Sequence, residues 1–294
     1  VLKDDKTPYT VFTPYKNKWL LALDAISKSN GFNINTQIEY SNFIKESTDM
    51  PSLNDLGFIQ SDIIVKPFNF SFLSNYDSIR DFPFKDQTSY LSPHLRFGSI
   101  SIRECVNVAL EKNSIFLSEL IWREFFMQIL FHFPHVVKQS FKSKYDKIKW
   151  RNNENEFKKW CEGNTGYPLV DAGMRQLNKT GYMHNRVRMV VASFLVKHLL
   201  IDWRWGEKYF AKKLLDFELS SNNGNWQWAA GTGCDSAPYF RIFNPIEQLK
   251  KFDSNLIYTK KWILELGQES YPAEIVDHKF ARERCLTTYK EGIS

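Results

Sequence analysis

The sequence predicts an all-α protein, and three observations carry that prediction. Beyond Tyr76, apolar residues recur at helical spacing through 100–112, 117–132, 154–162, 168–180, 184–200 and 206–217. No stretch beyond Tyr76 alternates with period two for long. Helix punctuation falls at segment ends. Ser101 with Glu104 three residues on reads as a capping box, Pro168 as a first-turn proline and Gly181 as a C-terminal stop.

In chain order, residues 1–14 read as turn, short strand, turn. Tyr9, Val11 and Phe12 favour a strand, and Pro8 and Pro14 bracket them. A short helix is expected over 19–28. Residues 31–73 are rich in Asn, Ser, Asp and Pro and hold no period, so they read as a long linker with short elements. After the capping-box helix come those at 117–132, 154–162 and 168–180. The next opens at His184 and ends at Trp203 and Trp205. Asn222, Asn223 and Gly224 read as a turn.

Composition narrows the classes. A chain of 294 residues holds one large domain or two modest ones, and it needs no disulfide or structural metal to fold. It is 43% hydrophobic and 24% charged, which excludes intrinsic disorder. The net charge of +6 permits a polyanion partner without demanding one. Cys105, Cys161, Cys234 and Cys285 lie far apart, with no metal spacing, and read as thiols of a reducing cytosol. No apolar stretch is long enough for a membrane span, and no signal peptide is visible. Aromatic residues make up 16% of the chain, and a reading of function must account for them.

Seven of the nine tryptophans lie between Trp122 and Trp228. Glu119 and Trp122 share a helix face. Trp122 taken alone is a core residue, but a carboxylate on its face must be solvated, paired or functional. Asn185, Arg188 and Met189 share another face, with Arg186 on a different side, open to a phosphate. His184 reads as a helix cap rather than an acid or base. Asp216 and Glu218, then Asn222, Trp226, Gln227 and Trp228, suit the wall of a site for a flat polar ring, with amide and carboxylate edges and indole faces. No glycine-rich dinucleotide motif or Walker loop is present, so a different binding scheme is required. Thr88, Ser89 and Ser92 precede or open a helix, where phosphates bind; taken alone the signal is weak, because Ser or Thr before a helix is most often an ordinary cap.

Arg80-Asp81-Phe82-Pro83, TSYLSPHLRFGSIS, SELIWREFF, KTGYMHNRVRM, DWRWGE, NNGNWQWAAGTG and APYFRIFNP occur in that order. Together they resemble the photolyase/cryptochrome flavoproteins, most of all the bacterial class I cyclobutane pyrimidine dimer photolyases. The resemblance runs from about Tyr9 to the C-terminus. It implies that 1–14 is the last strand of a truncated α/β antenna domain, 15–75 a linker with short helices, and 76–294 a helical FAD- and DNA-binding catalytic domain.

The resemblance also assigns roles. Tyr76, Thr88, Ser89, Leu91 and Ser92 match contacts to the FAD phosphates and ribityl chain. Arg188 and Asp216 match the ion pair beside the isoalloxazine. Glu218 matches a flavin-edge contact, and Asn222 the residue facing flavin N5. Trp226, Trp203 and Trp150 match a three-tryptophan electron relay. Glu119, Trp122, Asn185, Met189 and Trp228 match the pocket for a flipped pyrimidine dimer. Arg80, Arg186 and Arg241 match contacts to DNA phosphates. Three positions depart from the commonest pattern: Glu218 in place of Asp, and Tyr182 and Phe116 in place of Trp.

The implied activity is a blue-light DNA repair lyase, with reduced FAD as its active cofactor and no metal. The implied protein is cytoplasmic and DNA-associated. It is a monomer that lacks an antenna chromophore, and its bare domain face invites association. The rival is a cryptochrome-type photoreceptor without repair activity. Asn222, Glu119, Asn185 and Met189 carry the repair identities and argue against it. Repair of (6-4) photoproducts would call for a second His where Asn185 stands. A helical DNA-binding protein without cofactor would leave Asp216, Asn222 and the tryptophans unexplained.

Overall fold

The structure is a computed structural model and describes residues 1–30 and 40–294. Residues 31–39 of the expected linker lie outside the described residues. Thirteen α-helices and several short 3-10 turns make up the regular structure, and no strand forms among the described residues.

Helix α1 (Phe12–Asn30) replaces both the strand expected at Tyr9–Phe12 and the shorter helix after it. A strand needs a partner for its backbone, and none is present. The backbone is satisfied by side chains instead: Gln128 Nε2 donates to Tyr9 O at 2.8 Å, and Phe12 N donates to Asp235 at 2.9 Å. Phe12 and Tyr15 are then buried. From Tyr40 to about Phe68 the chain is mostly irregular and exposed.

Short helices α2 (Tyr76–Ile79) and α3 (Leu91–Phe97) lead into α4 (Ile102–Lys112) and α5 (Ser114–His132). Ser101 caps α4 by accepting from Arg103 N at 3.2 Å; among the described residues Glu104 does not close the box in return. Asn113 caps α5, accepting from Ile115 N and Phe116 N. Buried residues of α1, α4 and α5, with Leu73 and Leu91, form a first core that includes Cys105, Ile121 and Phe125.

The second core draws on α6 (Glu154–Glu162), α7 (Pro168–Thr180), α8 (Asn185–Ser193), α9 (Trp203–Lys213), α10 (Leu219–Ala230) and α12 (Ile257–Trp262). Pro168 opens α7 and Gly181 closes it with φ +66°, as expected. Two readings need correction. Trp203 and Trp205 begin α9, because Asp202 caps that helix through Arg204 N. The helix from His184 instead ends in a π turn, Phe194–His198. Asn222, Asn223 and Gly224 lie inside α10. A mid-helix glycine costs roughly 1 kcal/mol against Ala, but packing demands this one. A Cβ at Gly224 would stand 2.1 Å from Phe126 Cδ1 on α5. Gly224 therefore brings α10 against α5 and joins the two cores.

Helices α11 (Pro245–Phe252) and α13 (His278–Ile293) complete the chain, with Cys285 and Tyr289 of α13 in a third, smaller core. All four cysteines are free thiols. Among the described residues no helix is long and apolar enough to cross a membrane, and no cluster of His, Cys, Asp and Glu could hold a metal ion.

Candidate active site

A cavity of about 480 Å³ opens between the two cores. One wall comes from α8, α10 and the loop before α10. The other comes from α5, with Arg80 at the end of α2 and Ser92 in α3.

On the first wall, Arg188 grips Asp216 with two nitrogens, Nη1 to Oδ1 at 3.2 Å and Nη2 to Oδ2 at 2.8 Å. Arg188 Nε donates to Met183 O at 2.8 Å, and Ser92 Oγ donates to Asp216 at 2.6 Å. Burial alone would raise the Asp216 carboxyl. The Arg188 guanidinium and the Ser92 hydroxyl outweigh it and hold the group below the usual carboxylate range. Asn222 is 9% exposed and donates Nδ2 to Glu207 O at 3.0 Å. Its Oδ1 has no partner among the described residues.

Glu218 lines the cavity but spends its carboxylate as the cap of α10, accepting from Ser220 N and Ser221 N at 2.9 Å each. A flavin-edge contact would therefore compete with the cap. His184 acts as the expected cap, with Nδ1 accepting from Arg186 N. Burial lowers its pKa to about 4, so it is neutral there.

On the second wall, Glu119 accepts from Arg80 Nη1 at 2.7 Å. Trp122 stacks on Phe12 with centroids 3.7 Å apart and still lines the cavity, so it is both packing and wall. Asn185 and Met189 of α8 and Trp228 of α10, from the first wall, complete the expected dimer-pocket set in the lining of the cavity. The guanidinium of Arg241 lies 5.7 Å from the Trp228 ring.

Other expected residues stand elsewhere. Tyr76, Thr88, Ser89 and Leu91 do not line the cavity. Tyr76 packs edge-on to Phe116, and Leu91 is buried in the first core. Thr88 bonds the Tyr182 hydroxyl at 3.3 Å, and Ser89 accepts from Leu91 N. Arg186 is not open to a phosphate as expected. It pairs with Asp81 at 2.7 Å and lies over Phe252. Arg80 likewise already holds a carboxylate.

Trp226 borders the cavity and is 2% exposed; Trp203 is wholly buried, and Trp150 is half-buried between cores. The aromatic rings against Trp226 are Phe210 at 5.0 Å and Trp160 at 6.2 Å. Gly206 lets α9 approach, since a Cβ there would stand 2.2 Å from Trp226 Cη2. The sequence reading missed Trp160, as well as Arg96, Arg123 and Asn225 in the cavity wall. Spacing could have found two of them: Arg123 stands four residues after Glu119, and Asn225 three after Asn222.

The family model for the FAD binding domain of DNA photolyase matches residues 116–270, more than half of the chain. The chain belongs to the photolyase/cryptochrome family. The deoxyribodipyrimidine photo-lyase of Vibrio cholerae is 40% identical, over 96% of this chain and 68% of its own. Among solved structures, a class III photolyase of Agrobacterium tumefaciens superimposes with a TM-score of 0.79 at 34% identity, over 99% of this chain and 70% of its own. A photolyase of Sulfolobus tokodaii, described with two FAD molecules, gives 0.71 at 44% identity, over 76% of this chain and 54% of its own. The site of this photolyase-family chain fits a flavin by its donor set. A planar polar ring needs a guanidinium, a carboxylate and an open amide oxygen along its edge. Arg188, Asp216 and Asn222 supply them in a cavity of ordinary ligand size.

Proposed function

We propose that the chain is a DNA repair lyase that splits cyclobutane pyrimidine dimers under blue light, a deoxyribodipyrimidine photolyase. The observation that carries this reading is a single cavity with two kinds of wall. One wall carries a buried, hydrogen-bonded edge suited to a flavin; the other carries Trp122 and the Glu119 carboxylate, which together with Trp228 of α10 suit flipped pyrimidines. When bound, reduced FAD supplies one electron to the dimer under light and recovers it after the ring opens. The chain's own residues bind and orient.

Arg188 and Asp216, fixed by Met183 O and Ser92, hold the polar edge of the cofactor, and Asn222 offers Oδ1 to it. Trp122 and Trp228 give apolar faces to the flipped bases, which leave a damaged duplex at lower cost than intact ones. Glu119 hydrogen-bonds the pyrimidine edge, and Asn185 and Met189 close the pocket around it. Glu119 must first loosen its hold on Arg80, which frees that guanidinium for a DNA phosphate. Arg241, which has no acid partner among the described residues, takes another. Trp226, at the cavity, would be the inner electron donor when light reduces bound oxidised FAD, with Trp203 and Trp150 as the expected relay towards the surface.

By its sequence motifs we take the chain to be nearest class I, although the Agrobacterium structure it resembles is of class III. We take the chain to act as a monomer, and its action spectrum should include the flavin bands. The test is illumination of a thymine-dimer oligonucleotide with purified protein carrying reduced FAD. Repair in blue light and none in the dark is expected. Bound flavin without repair in light would favour a photoreceptor.

A further inference from the structure

Next to the main cavity lies a second cleft of about 320 Å³, between α1, α4 and α5. Its apolar lining residues are Ile102, Val106, Leu120 and Met127. Trp19, Arg103, Arg123 and Glu124 stand around it. Glu124 is the acid in that lining, and its Oε2 accepts from Trp19 Nε1 at 2.8 Å. Neither Arg103 nor Arg123 has a carboxylate partner among the described residues. Two guanidiniums facing one engaged carboxylate leave the cleft with a net positive charge. Arg123 also lines the main cavity, so the two sites share this residue.

We propose that this cleft is a second DNA subsite, which seats the backbone of the strand that flanks the flipped lesion. Phosphate lies on Arg103 and Arg123, and the apolar face of deoxyribose lies on Ile102, Leu120 and Met127. This rests on the repair reading and extends it. The mixed chemistry of the cleft, two arginines beside apolar side chains, matches the pairing of phosphate with sugar along a strand. Its continuity with the lesion pocket through Arg123 favours a strand already anchored there over a free anion. Contacts of this kind position the duplex and carry no sequence preference.

The experiment measures affinity for dimer-containing and undamaged duplexes across a salt series, for the parent and for Arg103→Ala. Arg103 is exposed, so the fold should survive the change. Each lost phosphate contact reduces the slope of log K against log salt by about 0.9. Arg103→Ala should lose about that much on both duplexes and keep the parent's ratio of damaged to undamaged affinity; Arg103→Lys should restore most of the slope. Shortening the duplex on one side of the dimer should cancel the difference between parent and variant, while shortening on the other side should leave it. An unchanged slope, or a difference indifferent to which side is shortened, overturns the subsite. Failure of the repair reading would show separately, as the parent binding both duplexes equally.

Discussion

The two walls of the cavity each carry an arginine–carboxylate pair, and the pairs are built differently. In Arg188–Asp216 the carboxylate side chain is 5% exposed, gripped by two nitrogens and held by Ser92. In Arg80–Glu119 the carboxylate is 34% exposed and holds one nitrogen. The first pair has no solvent to fall back on, so it is a fixed electrostatic feature, suited to a cofactor that stays. The second is part-buried, with solvent at hand for its carboxylate, so it opens at lower cost than the first. A substrate that comes and goes needs that wall to give.

The largest test of this difference is Asp216→Ala. Breaking a buried pair by removing one partner costs roughly 3–5 kcal/mol. The variant should melt well below the parent in a thermal scan and elute without flavin absorbance. Arg80→Ala, by contrast, should shift the melting temperature little and retain flavin. If both variants lose flavin equally, the two walls do not differ as described.

The next is Glu119→Gln, which keeps shape and removes charge. Flavin content should match the parent, while light-driven repair falls by about tenfold or more, the scale of 1.4 kcal/mol in a barrier. A repair rate equal to the parent's would remove Glu119 from the substrate wall.

The third sharpens the fixed wall around Trp226. Trp226→Phe should abolish photoreduction of the oxidised protein and spare repair by chemically pre-reduced protein. Trp160 and Trp203 then compete as the next donor. Flash-induced tryptophan oxidation in Trp203→Phe and Trp160→Phe decides between them, and loss in Trp203→Phe alone is the outcome the family resemblance implies.

The smallest effect concerns support behind the same wall. Lys197 is 1% exposed, donates to Ala230 O at 2.8 Å at the end of α10, and lies 3.8 Å from the centre of the Tyr289 ring. Burial lowers its pKa from 10.5 to about 7. Between those values the unfolded chain binds more protons than the folded one, so stability should rise as pH increases from about 7 towards 10. Lys197→Met should flatten that rise in denaturant titrations taken at several pH values. A slope identical in parent and variant would mean that another group sets it.

Much of this contrast could be read in the sequence, but not all. The helix ends at Pro168 and Gly181 are local chemistry, and local chemistry is written in neighbouring residues. So are the shared faces of Glu119 with Trp122 and of Asn185 with Arg188 and Met189, all of which reach the cavity. Gly224 misled because its role is tertiary: glycine signals a turn by composition, yet here it makes room for Phe126 on another helix. The residues at Tyr9–Phe12 misled because strand propensity means little without a partner strand. Pairings such as Arg80 with Glu119 and Arg186 with Asp81 span 39 and 105 residues, beyond any periodicity. For the same reason two arginines expected to be open to phosphate turn out to be already paired.

The most direct test of the central claim is a side-by-side measurement of bound flavin and light-driven dimer repair in Asp216→Asn and Glu119→Gln. The two-wall account predicts that Asp216→Asn loses flavin and repair together, and that Glu119→Gln keeps full flavin and loses repair alone. Flavin retained at parental level in Asp216→Asn, or lost in Glu119→Gln, would contradict it.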